Sequence, residues 1–525
     1  MRSTVWGPAM AVLGCSCAEA ALFGRTVSGK GYLSVPIGTI DKPKNHNSKR
    51  AENGTILQVL ENMDFFYAAE IDFGTPPQTV VVLVDTGSNE LWVNPDCSTA
   101  PSLDQEAQCN SFGEYDPRKS NTPPIGPFGS ETINYGDASD PTTQTSATIR
   151  YYTETLGFGG ANITNQTFGV VVTSDGISQG IMGLSPDLRG GFDSDEPYSL
   201  VLTSMADQGL IASRAFSLDL RHSEATTGAV IYGGLDRNKF IGSLEKRPII
   251  RGEAGEFRLA VTLTSLGVTF EQSEDFGVDE EDSNVMLDSG TTITRMHYSA
   301  AYPILEALDA EDDGEGYYIT RCSYRNRPGS VDFGFGPKIV RVPFSDFILD
   351  VGSATWCYIG LVVTTDQQIL GDSVLRAGYF VFDWDNEEVH VAQAANCGEN
   401  DIVTIGSGTS AVPDVTGNCQ ESDVTAAPST TDSSDSETSA ISNTVGLPTQ
   451  AFTTTYTITS CPFQDSGCTV GAVTTQTYGG AGRPTVTVTA GADSNSDEDS
   501  GAWCNMPISW VFVAMGAFAV GCNMV

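Results

Sequence analysis

The chain has 525 residues, more than a single hydrophobic core usually organises, so two or more domains are expected. Its 40% hydrophobic and 18% charged residues are typical of a globular, strand-rich protein. A formal charge of −39 at pH 7 argues against a nucleic-acid partner, because phosphates are bound by Lys and Arg. The excess carboxylates repel one another less as the pH falls, which suits an acidic milieu.

The N-terminus has the layout of a secretory signal peptide. Arg2 supplies the positive start, Val5–Gly14 a short, mostly apolar core, and Ala18–Ala20 a small-x-small cleavage site. The alternative is a buried N-terminal helix. We predict a signal over residues 1–20 and entry into the secretory pathway.

A polar, basic stretch, DKPKNHNSKR, follows and closes on Lys49 and Arg50. Dibasic pairs at the edge of a loop are sites where cleavage concentrates, so we predict a propeptide over residues 21–50. The alternative for this pair is a solvated charge cluster.

From Phe65 to about Ala395, short β-branched runs alternate with Gly, Pro, Asn and Asp, which predicts an all-β body with hairpins. Only SLVLTSMADQGL and SAAYPILEAL are convincing candidates for short helices. Beyond Cys397 the composition changes to Ser, Thr, Gly and Ala. We predict that residues 398–495 cannot bury a core and form a disordered, Ser/Thr-rich stalk.

The C-terminus has the order of a glycosylphosphatidylinositol (GPI) anchor signal. A polar spacer, SNSDEDSGAW, precedes an apolar tail with no basic residue behind it. A plain transmembrane tail is the alternative. We predict an anchor signal over residues 496–525, with attachment to the plasma membrane or cell wall. The attachment residue is left open among Ser494, Asn495 and Ser500.

Eight of the twelve cysteines lie outside the predicted signal and tail, which in a secreted chain implies disulfides. Spacing suggests the pairs Cys97–Cys109 and Cys322–Cys357, although spacing alone does not determine connectivity. The pairing of the other four is left open: Cys397, Cys419, Cys461 and Cys468. Three Asn-x-Ser/Thr motifs are predicted glycosylation sites: Asn53, Asn162 and Asn165.

A faint internal repeat carries the candidate chemistry. Asp85 and Asp288 each follow an apolar run, and each precedes Thr/Ser-Gly-Ser/Thr. Each half then contains Ile-apolar-Gly, at Ile181–Gly183 and Ile369–Gly371. Because a buried carboxylate is costly unless it is paired or hydrogen-bonded, we predict two lobes that each bring one aspartate to a shared cleft.

Two further Asp-Ser-Gly sequences, at Asp465 and Asp499, lie in polar, Ser-rich sequence and are interpreted as turns. An Asx-turn that ends a strand is also the alternative for Asp85 and Asp288. Two close carboxylates, by contrast, share one proton. The ionised one can activate water, and the protonated one can donate to the carbonyl oxygen under attack.

The chain resembles the pepsin family of aspartic endopeptidases between about Phe65 and Cys397. The resemblance lies in IDFGTPPQTVVVLVDTGSNELWV, INYGD, IMGLSP, VMLDSGTTITRM and ILGDSVLRAGYFVFDWDNEEVHVA, which follow the family's order. It implies a bilobal, all-β catalytic domain over residues 51–397 with a central cleft. The N lobe would cover about residues 64–214 and the C lobe about 215–397.

The resemblance also implies roles for individual residues. Asp85 and Asp288 would be catalytic. Supporting positions would be Thr86, Gly87, Ser88, Ser289, Gly290 and Thr291. Substrate would meet a flap and its partner: Tyr135, Gly136, Asp137 and Trp92. Cross-strand packing is the alternative for Tyr135. An acid at Asp137 would pair with a cationic side chain, so we hypothesise cleavage beside Lys, Arg or bulky apolar residues.

Signal, dibasic site, stalk and anchor together resemble the yapsin-like, surface-anchored fungal aspartic proteases. The expected partners are polypeptide substrates and, through the lipid, a membrane; the chain is expected to be a monomer without cofactor or metal. One alternative is a serine hydrolase built on Gly176–Gly180 with His222, His297 or His390, although no helix is predicted after the serine. The other is a catalytically silent pepsin-like surface binding module.

Overall fold

The computed structural model describes residues 26–39, 66–122, 124–136, 144–158, 160–186, 198–222, 227–252, 256–314, 316–350, 353 and 355–424, and three strands beyond them. The chain divides into two units, Met1–Thr430 and Thr431–Val525. Several predicted features lie outside the described residues: the signal, Lys49-Arg50, Asn53, Asp137, Cys461, Cys468 and the anchor segment.

Strands dominate the first unit, as predicted from the β-branched runs. Its first strands are β1 Val27–Gly29, β2 Tyr32–Thr39, β3 Tyr67–Phe73, β4 Gln78–Asp85, β5 Leu91–Val93, β6 Ile125–Tyr135, β7 Thr145–Phe158, β8 Ala161–Asp175, β9 Gly180–Gly183, β10 Ala215–Asp219, β11 Thr227–Tyr232 and β12 Gly234–Asp236.

The remaining strands of this unit are shorter on average. They are β13 Phe240–Pro248, β14 Ala260–Thr262, β15 Ser265–Thr269, β16 Ser273–Phe276, β17 Asn284–Leu287, β18 Thr294–Met296, β19 Glu311–Asp312, β20 Tyr318–Arg321, β21 Ser330–Phe335, β22 Lys338–Pro343, β23 Ile348–Leu349, β24 Trp356–Ile359, β25 Leu361–Val363, β26 Ile369–Leu370, β27 Gly378–Asp383, β28 Glu388–Ala394, β29 Ile402–Thr404 and β30 Thr416–Asn418.

Helices are few and short in the described part. The α-helices there are α1 Leu103–Cys109, α2 Val201–Asp207, α3 Tyr298–Ala307, α4 Phe344–Phe347 and α5 Asp372–Leu375. Single 3-10 turns are Cys97–Thr99, Pro117–Lys119, Arg237–Lys239, Glu280–Asp282 and Glu421–Asp423. Both predicted helices are present, as α2 and α3. Among the described residues, no helix has the length and apolar character needed to cross a bilayer.

A 15-stranded sheet runs through the first unit, in the order β30-β13-β28-β27-β10-β11-β2-β3-β4-β9-β5-β8-β7-β6, with β1 on β2. Strand β4 is apolar without alternation because both of its faces are covered. Val82 and Val84 pack into the main core, whereas Val81 and Leu83 pack into a second cluster around Trp92. Four smaller sheets are described in the C-terminal half of this unit: β12-β29, β14-β17-β26-β18-β25, β16-β15-β21-β22 and β19-β20-β24-β23.

In each half of the internal repeat, the strand before the aspartate lies beside the strand that contains Ile-apolar-Gly. Strand β4, which ends at Asp85, pairs in parallel with β9, so that Asp85 lies opposite Gly183. Strand β17, which precedes Asp288, pairs in parallel with β26. A Cβ atom at Gly371 would lie 2.3 Å from the carbonyl oxygen of Thr291, which no side chain could tolerate. The Ile-apolar-Gly motif therefore supports the loop that follows each aspartate.

Residues 26–39 lie within the predicted propeptide, yet they contribute to the large sheet. Strand β2 pairs antiparallel with β11 and with β3. Leu33, Val35 and Ile37 are buried in the main core. Removal of this segment would therefore uncover apolar surface and leave strand edges on both sides.

The compact unit continues past Cys397, where the sequence predicted the stalk to begin. Strand β29 pairs with β12, β30 pairs with β13, and Cys397 is bonded to Cys419. Ile405 and Ala411 are buried against the core beside β12 and β13. A segment poor in large apolar residues cannot form a core alone, but it can be stabilised by adding strands to an existing one.

We expect Cys419→Ser to lower the free energy of unfolding by about 3 kcal/mol, because the bond closes a 22-residue separation in the unfolded chain. Urea denaturation under non-reducing conditions measures this. Cys461→Ser, which lies outside the described residues, is the control. An unchanged urea midpoint for Cys419→Ser would show that the bond does not restrain the unfolded chain.

The second unit is described through three strands, β31 Phe452–Thr457, β32 Val473–Tyr478 and β33 Val486–Thr489. They form an antiparallel sheet with β32 in the centre. The prediction of a stalk without structure did not include this sheet.

Candidate active site

Asp85 emerges at the end of β4 and is almost fully buried. Its Oδ1 accepts a hydrogen bond of 2.7 Å from Gly87 N–H, and its Oδ2 accepts from the Ser88 hydroxyl. The strand thus delivers the carboxylate, and the turn after it supplies the donors that replace water.

Asp288 follows β17 and has the same surroundings. Gly290 N–H donates to Oδ1 at 2.8 Å, and the Thr291 hydroxyl donates to Oδ2 at 2.6 Å. Because the two tripeptides repeat, each carboxylate receives one backbone and one hydroxyl donor.

The two loops are locked together by reciprocal hydrogen bonds. Thr86 Oγ1 donates to Leu287 O at 2.8 Å and accepts from Ser289 N–H at 2.9 Å. Ser289 Oγ donates to Val84 O at 2.8 Å and accepts from Thr86 N–H at 3.2 Å. Both hydroxyl side chains are fully buried, so these bonds hold the two aspartates in a common frame.

The glycines allow the carboxylates to approach. A Cβ atom at Gly87 would lie 2.4 Å from Asp288 Cγ, and one at Gly290 would lie 2.4 Å from Asp85 Oδ1. Each glycine therefore sits against the carboxylate of the opposite loop. Any side chain at either position would push the pair apart.

Burial raises the pKa of Asp85 well above its ordinary value, and the negative charge of Asp288 raises it further. The hydrogen bonds from Ser88 and Gly87 lower the pKa but do not cancel these effects. The pair is therefore suited to hold a proton at pH values where a free carboxyl group would have lost it.

A cleft of about 1290 Å³ contains both carboxylates. Tyr135 and Gly136, at the end of β6, line it from the N-terminal half. The indole N–H of buried Trp92 donates to the Tyr135 hydroxyl at 2.7 Å. The hairpin strand is thereby held over the carboxylates. Asp137, the next residue, lies outside the described residues.

The predicted disulfide cysteines and the two described glycosylation sites lie away from the cleft. Cys97 is bonded to Cys109 and Cys322 to Cys357. Asn162 and Asn165 are exposed on β8.

The alternative sites differ from what their chemistry requires. Ser178 donates to Gln179 Oε1 at 2.7 Å, and the chain continues into strand β9 rather than the helix of a nucleophile elbow. Within the described ranges, no group of three or more His, Cys, Asp or Glu side chains is arranged to hold a metal.

Sequence reasoning missed a buried pair behind the carboxylates. Asp372 and Arg376 lie one turn apart around α5, and both are almost fully buried. Burial raises the pKa of Asp372 well above its ordinary value, and the charges of Asp288 and Asp85 add to this effect, whereas Arg376 opposes it. The signal available was two charged residues at i and i+4 in the otherwise apolar LGDSVLRAGYFVF.

Glu90 is a second position missed by sequence reasoning. The sequence shows it only as one acidic residue between DTGS and the apolar LWV. The structure buries it and lets it accept a hydrogen bond from the Tyr198 hydroxyl. Its negative charge also helps to raise the pKa of the Tyr135 phenol. Its partner is distant in sequence, so no local pattern could have identified the contact.

Comparison with known proteins agrees with this geometry. The family model described as eukaryotic aspartyl protease matches residues 66–394. The chain is 34% identical over 396 residues to Candidapepsin-1 of Candida albicans, covering 71% of this chain and 93% of that protein. It is 32% identical over 386 residues to the probable aspartic-type endopeptidase opsB of Aspergillus fumigatus, covering 70% and 77%. The chain therefore belongs to the eukaryotic aspartyl protease family and is an aspartic-type endopeptidase.

Proposed function

We propose that Asp85 and Asp288 form the catalytic pair of a secreted, surface-anchored endopeptidase that works best in acid. The observation that carries the proposal is the interlocked geometry of the two loops. Each carboxylate has a backbone and a hydroxyl donor, and each opposes the glycine of the other loop. This arrangement favours one shared proton between two rigid groups.

In the proposed reaction, the ionised carboxylate takes a proton from a water molecule while the water oxygen bonds to the scissile carbonyl carbon. The protonated carboxyl group donates its proton to the carbonyl oxygen, which yields a tetrahedral diol. The carboxyl group that received the proton from water then gives it to the amide nitrogen, while the other carboxylate takes a proton from a diol hydroxyl. The carbon–nitrogen bond breaks, a carboxylic acid and an amine are released, and the pair again shares one proton. The cleft volume exceeds that of common small-molecule sites, which supports an extended polypeptide substrate.

Hydrolysis of a peptide library by the full-length protein, at several values between about pH 3 and pH 7, tests the function. We expect cleavage that declines toward neutral pH and products that define the preferred residues. Folded protein that has been cleaved after Arg50 and still cuts no peptide in this range would instead support the catalytically silent alternative.

We expect Tyr135→Phe to lower kcat/KM about tenfold, because the buried Trp92 N–H loses its acceptor and the hairpin loses one restraint. Steady-state kinetics on one peptide at its best pH measures this effect. Tyr152→Phe, on the neighbouring strand β7, is the matched control and should retain wild-type kinetics. Equal kcat/KM values for both variants would argue against the proposed hairpin role.

The proposed preference for Lys or Arg rests on Asp137, which follows Gly136 at the end of the cleft-lining strand. We expect Asp137→Ser to reduce the ratio of cleavage after Lys to cleavage after Phe by about tenfold. A library profile of the variant beside the wild type measures this ratio. A ratio that does not change removes Asp137 as its cause.

Maturation and location extend the same proposal. We propose that residues 21–50 are removed after Arg50 and that the C-terminal tail is exchanged for a lipid anchor. Candida albicans relatives are named secreted aspartic proteases, which supports the secretory route. Since β2 lies in the removed segment, maturation would have to leave it bound or replace it in the sheet.

A further inference from the structure

His297, which precedes α3, joins a buried carboxylate to one wall of the cleft. Its Nδ1 lies 2.8 Å from Asp282 Oδ1, and its Nε2 lies 3.0 Å from the carbonyl oxygen of Asp366. Asp366 belongs to the segment 364–367, which lines the cleft and is called here the wall loop. The His297 side chain is 35% exposed and that of Asp282 only 9%.

Both partners of this imidazole are acceptors. A carboxylate has no proton to donate, and Asp282 Oδ2 already accepts from the Ser299 hydroxyl. The carbonyl oxygen of Asp366 has none either. A neutral imidazole has one N–H, so it can satisfy one contact and must turn a lone pair toward the other acceptor. A doubly protonated imidazole donates to both.

We propose that His297 is a positioning residue whose doubly protonated form fixes the wall loop and thereby favours substrate binding in acid. The inference rests on the proposed function of the cleft. A histidine side chain carries its second proton in acid and releases it as the pH rises. The two-sided contact is therefore present in acid and is lost as the pH rises.

Charged groups from each neighbouring element bear on this contact. Asp282 faces the ring from the 3-10 turn before β17, while Glu280 and Glu281 of that turn are exposed. The wall loop presents the main-chain carbonyl oxygen of Asp366, whose carboxylate accepts from Gln367 N–H at 2.8 Å, and Arg295 lies two residues before His297 on β18.

Gln368, which follows the wall loop, makes two hydrogen bonds that do not depend on pH. Its side-chain amide accepts a hydrogen bond of 3.0 Å from the main-chain N–H of His297 and donates one of 2.8 Å to the main-chain carbonyl oxygen of Asp282. Neither bond involves a titrating atom. The end of the loop is therefore held at all pH values. Its start is held as well, because Thr364 N–H donates to Met296 O at 2.9 Å, so the change is confined to residues 365–367.

Hydrogen exchange of the wall-loop amides in the full-length protein tests this directly, because it needs no substrate. After correction for intrinsic rates, we expect at least about fivefold less protection at about pH 7.5 than at about pH 5. His297→Gln should show the lower protection at both values. His222→Gln, a histidine outside the site, should retain the wild-type difference.

Asp282→Asn should do the opposite of His297→Gln. Its amide can donate to Nδ1 of a neutral imidazole, whose Nε2–H still donates to Asp366 O, while its carbonyl oxygen still accepts from Ser299. We expect high protection at both pH values, and a KM for peptides that rises less with pH than in the wild type while kcat follows the wild-type profile.

The proposal is overturned if the wild-type loop is equally protected at both pH values, or if Asp282→Asn behaves like His297→Gln. If the wall loop shows the expected pH-dependent exchange but the protein cuts no peptide, the result counts against the proposed catalytic function alone.

Discussion

Asp85→Asn or Asp288→Asn is expected to lower kcat for peptide hydrolysis by at least about a thousandfold. Asparagine keeps the shape of the side chain and one acceptor oxygen, so the surrounding loops can persist. It cannot take a proton from water or hold the shared proton. The chemistry should therefore fail while the fold remains, which circular dichroism and thermal melting of the same samples can establish.

The chain offers a matched control for this loss. Asp465 begins another Asp-Ser-Gly sequence, in the part of the chain interpreted as polar turns. Asp465→Asn should retain the wild-type kcat. The double variant Asp85→Asn/Asp288→Asn should be about as inactive as either single variant, because the two groups act as one unit. A single variant that retains the wild-type rate would remove that aspartate from the mechanism.

The free energy of unfolding is expected to decrease as the pH rises above about 4. Burial raises the pKa of Asp85, Asp219 and Asp372 in the folded protein. The unfolded chain releases these protons near the ordinary value of about 3.9. The stabilising contribution is thus complete below that value and is lost as the pH rises through each folded-state pKa. Between its unfolded-state and folded-state pKa values, each such group lowers the free energy of unfolding by about 1.4 kcal/mol per pH unit.

One buried histidine acts in the opposite direction. Burial lowers the pKa of His390 to about 4. Its contribution is complete above the ordinary value of about 6.5 and is lost as the pH falls toward the folded-state value. Between these two pH values, the histidine offsets the effect of about one aspartate on the free energy of unfolding. The net charge of −39 at pH 7 adds a further effect, because repulsion among the carboxylates grows as they ionise. The aspartates should therefore dominate.

Urea denaturation at a series of values from about pH 4 to pH 8 measures this dependence. Asp372→Asn should make the slope shallower by about 1.4 kcal/mol per pH unit, since the variant has one buried proton fewer to lose. Asp104→Asn, an exposed aspartate on α1, should leave the slope unchanged. Identical slopes in the wild type and Asp372→Asn would show that Asp372 does not titrate as inferred.

The sequence predicted much of the candidate site because its signals are local. An aspartate after a β-branched run, followed by Thr-Gly-Ser or Ser-Gly-Thr, specifies a buried strand, a turn and its donors within a few residues. The second copy of this pattern then predicted a second lobe. The same local logic predicted the helices α2 and α3, whose apolar spacing is contained in their own segments.

Apart from the local Asp372–Arg376 pair, the contacts that sequence reasoning missed are long-range. Buried Glu90 meets the Tyr198 hydroxyl, and the His297 ring meets the Asp282 carboxylate and the main-chain carbonyl of Asp366. Only the folded chain brings these groups together. No periodicity or spacing encodes such distances, and nothing in the composition marks Glu90 or Asp282 as buried.

By itself, the sequence determined the β-rich class, the family and the two aspartates that end buried strands, because hydrophobic pattern and turn chemistry act over a few residues. Only the tertiary structure decided that the folded unit continues past Cys397 to the bond with Cys419, and that β2 lies within the large sheet. Both depend on strand edges supplied by remote segments. The free energy of pairing with such an edge is a property of the assembled sheet and not of the segment that joins it.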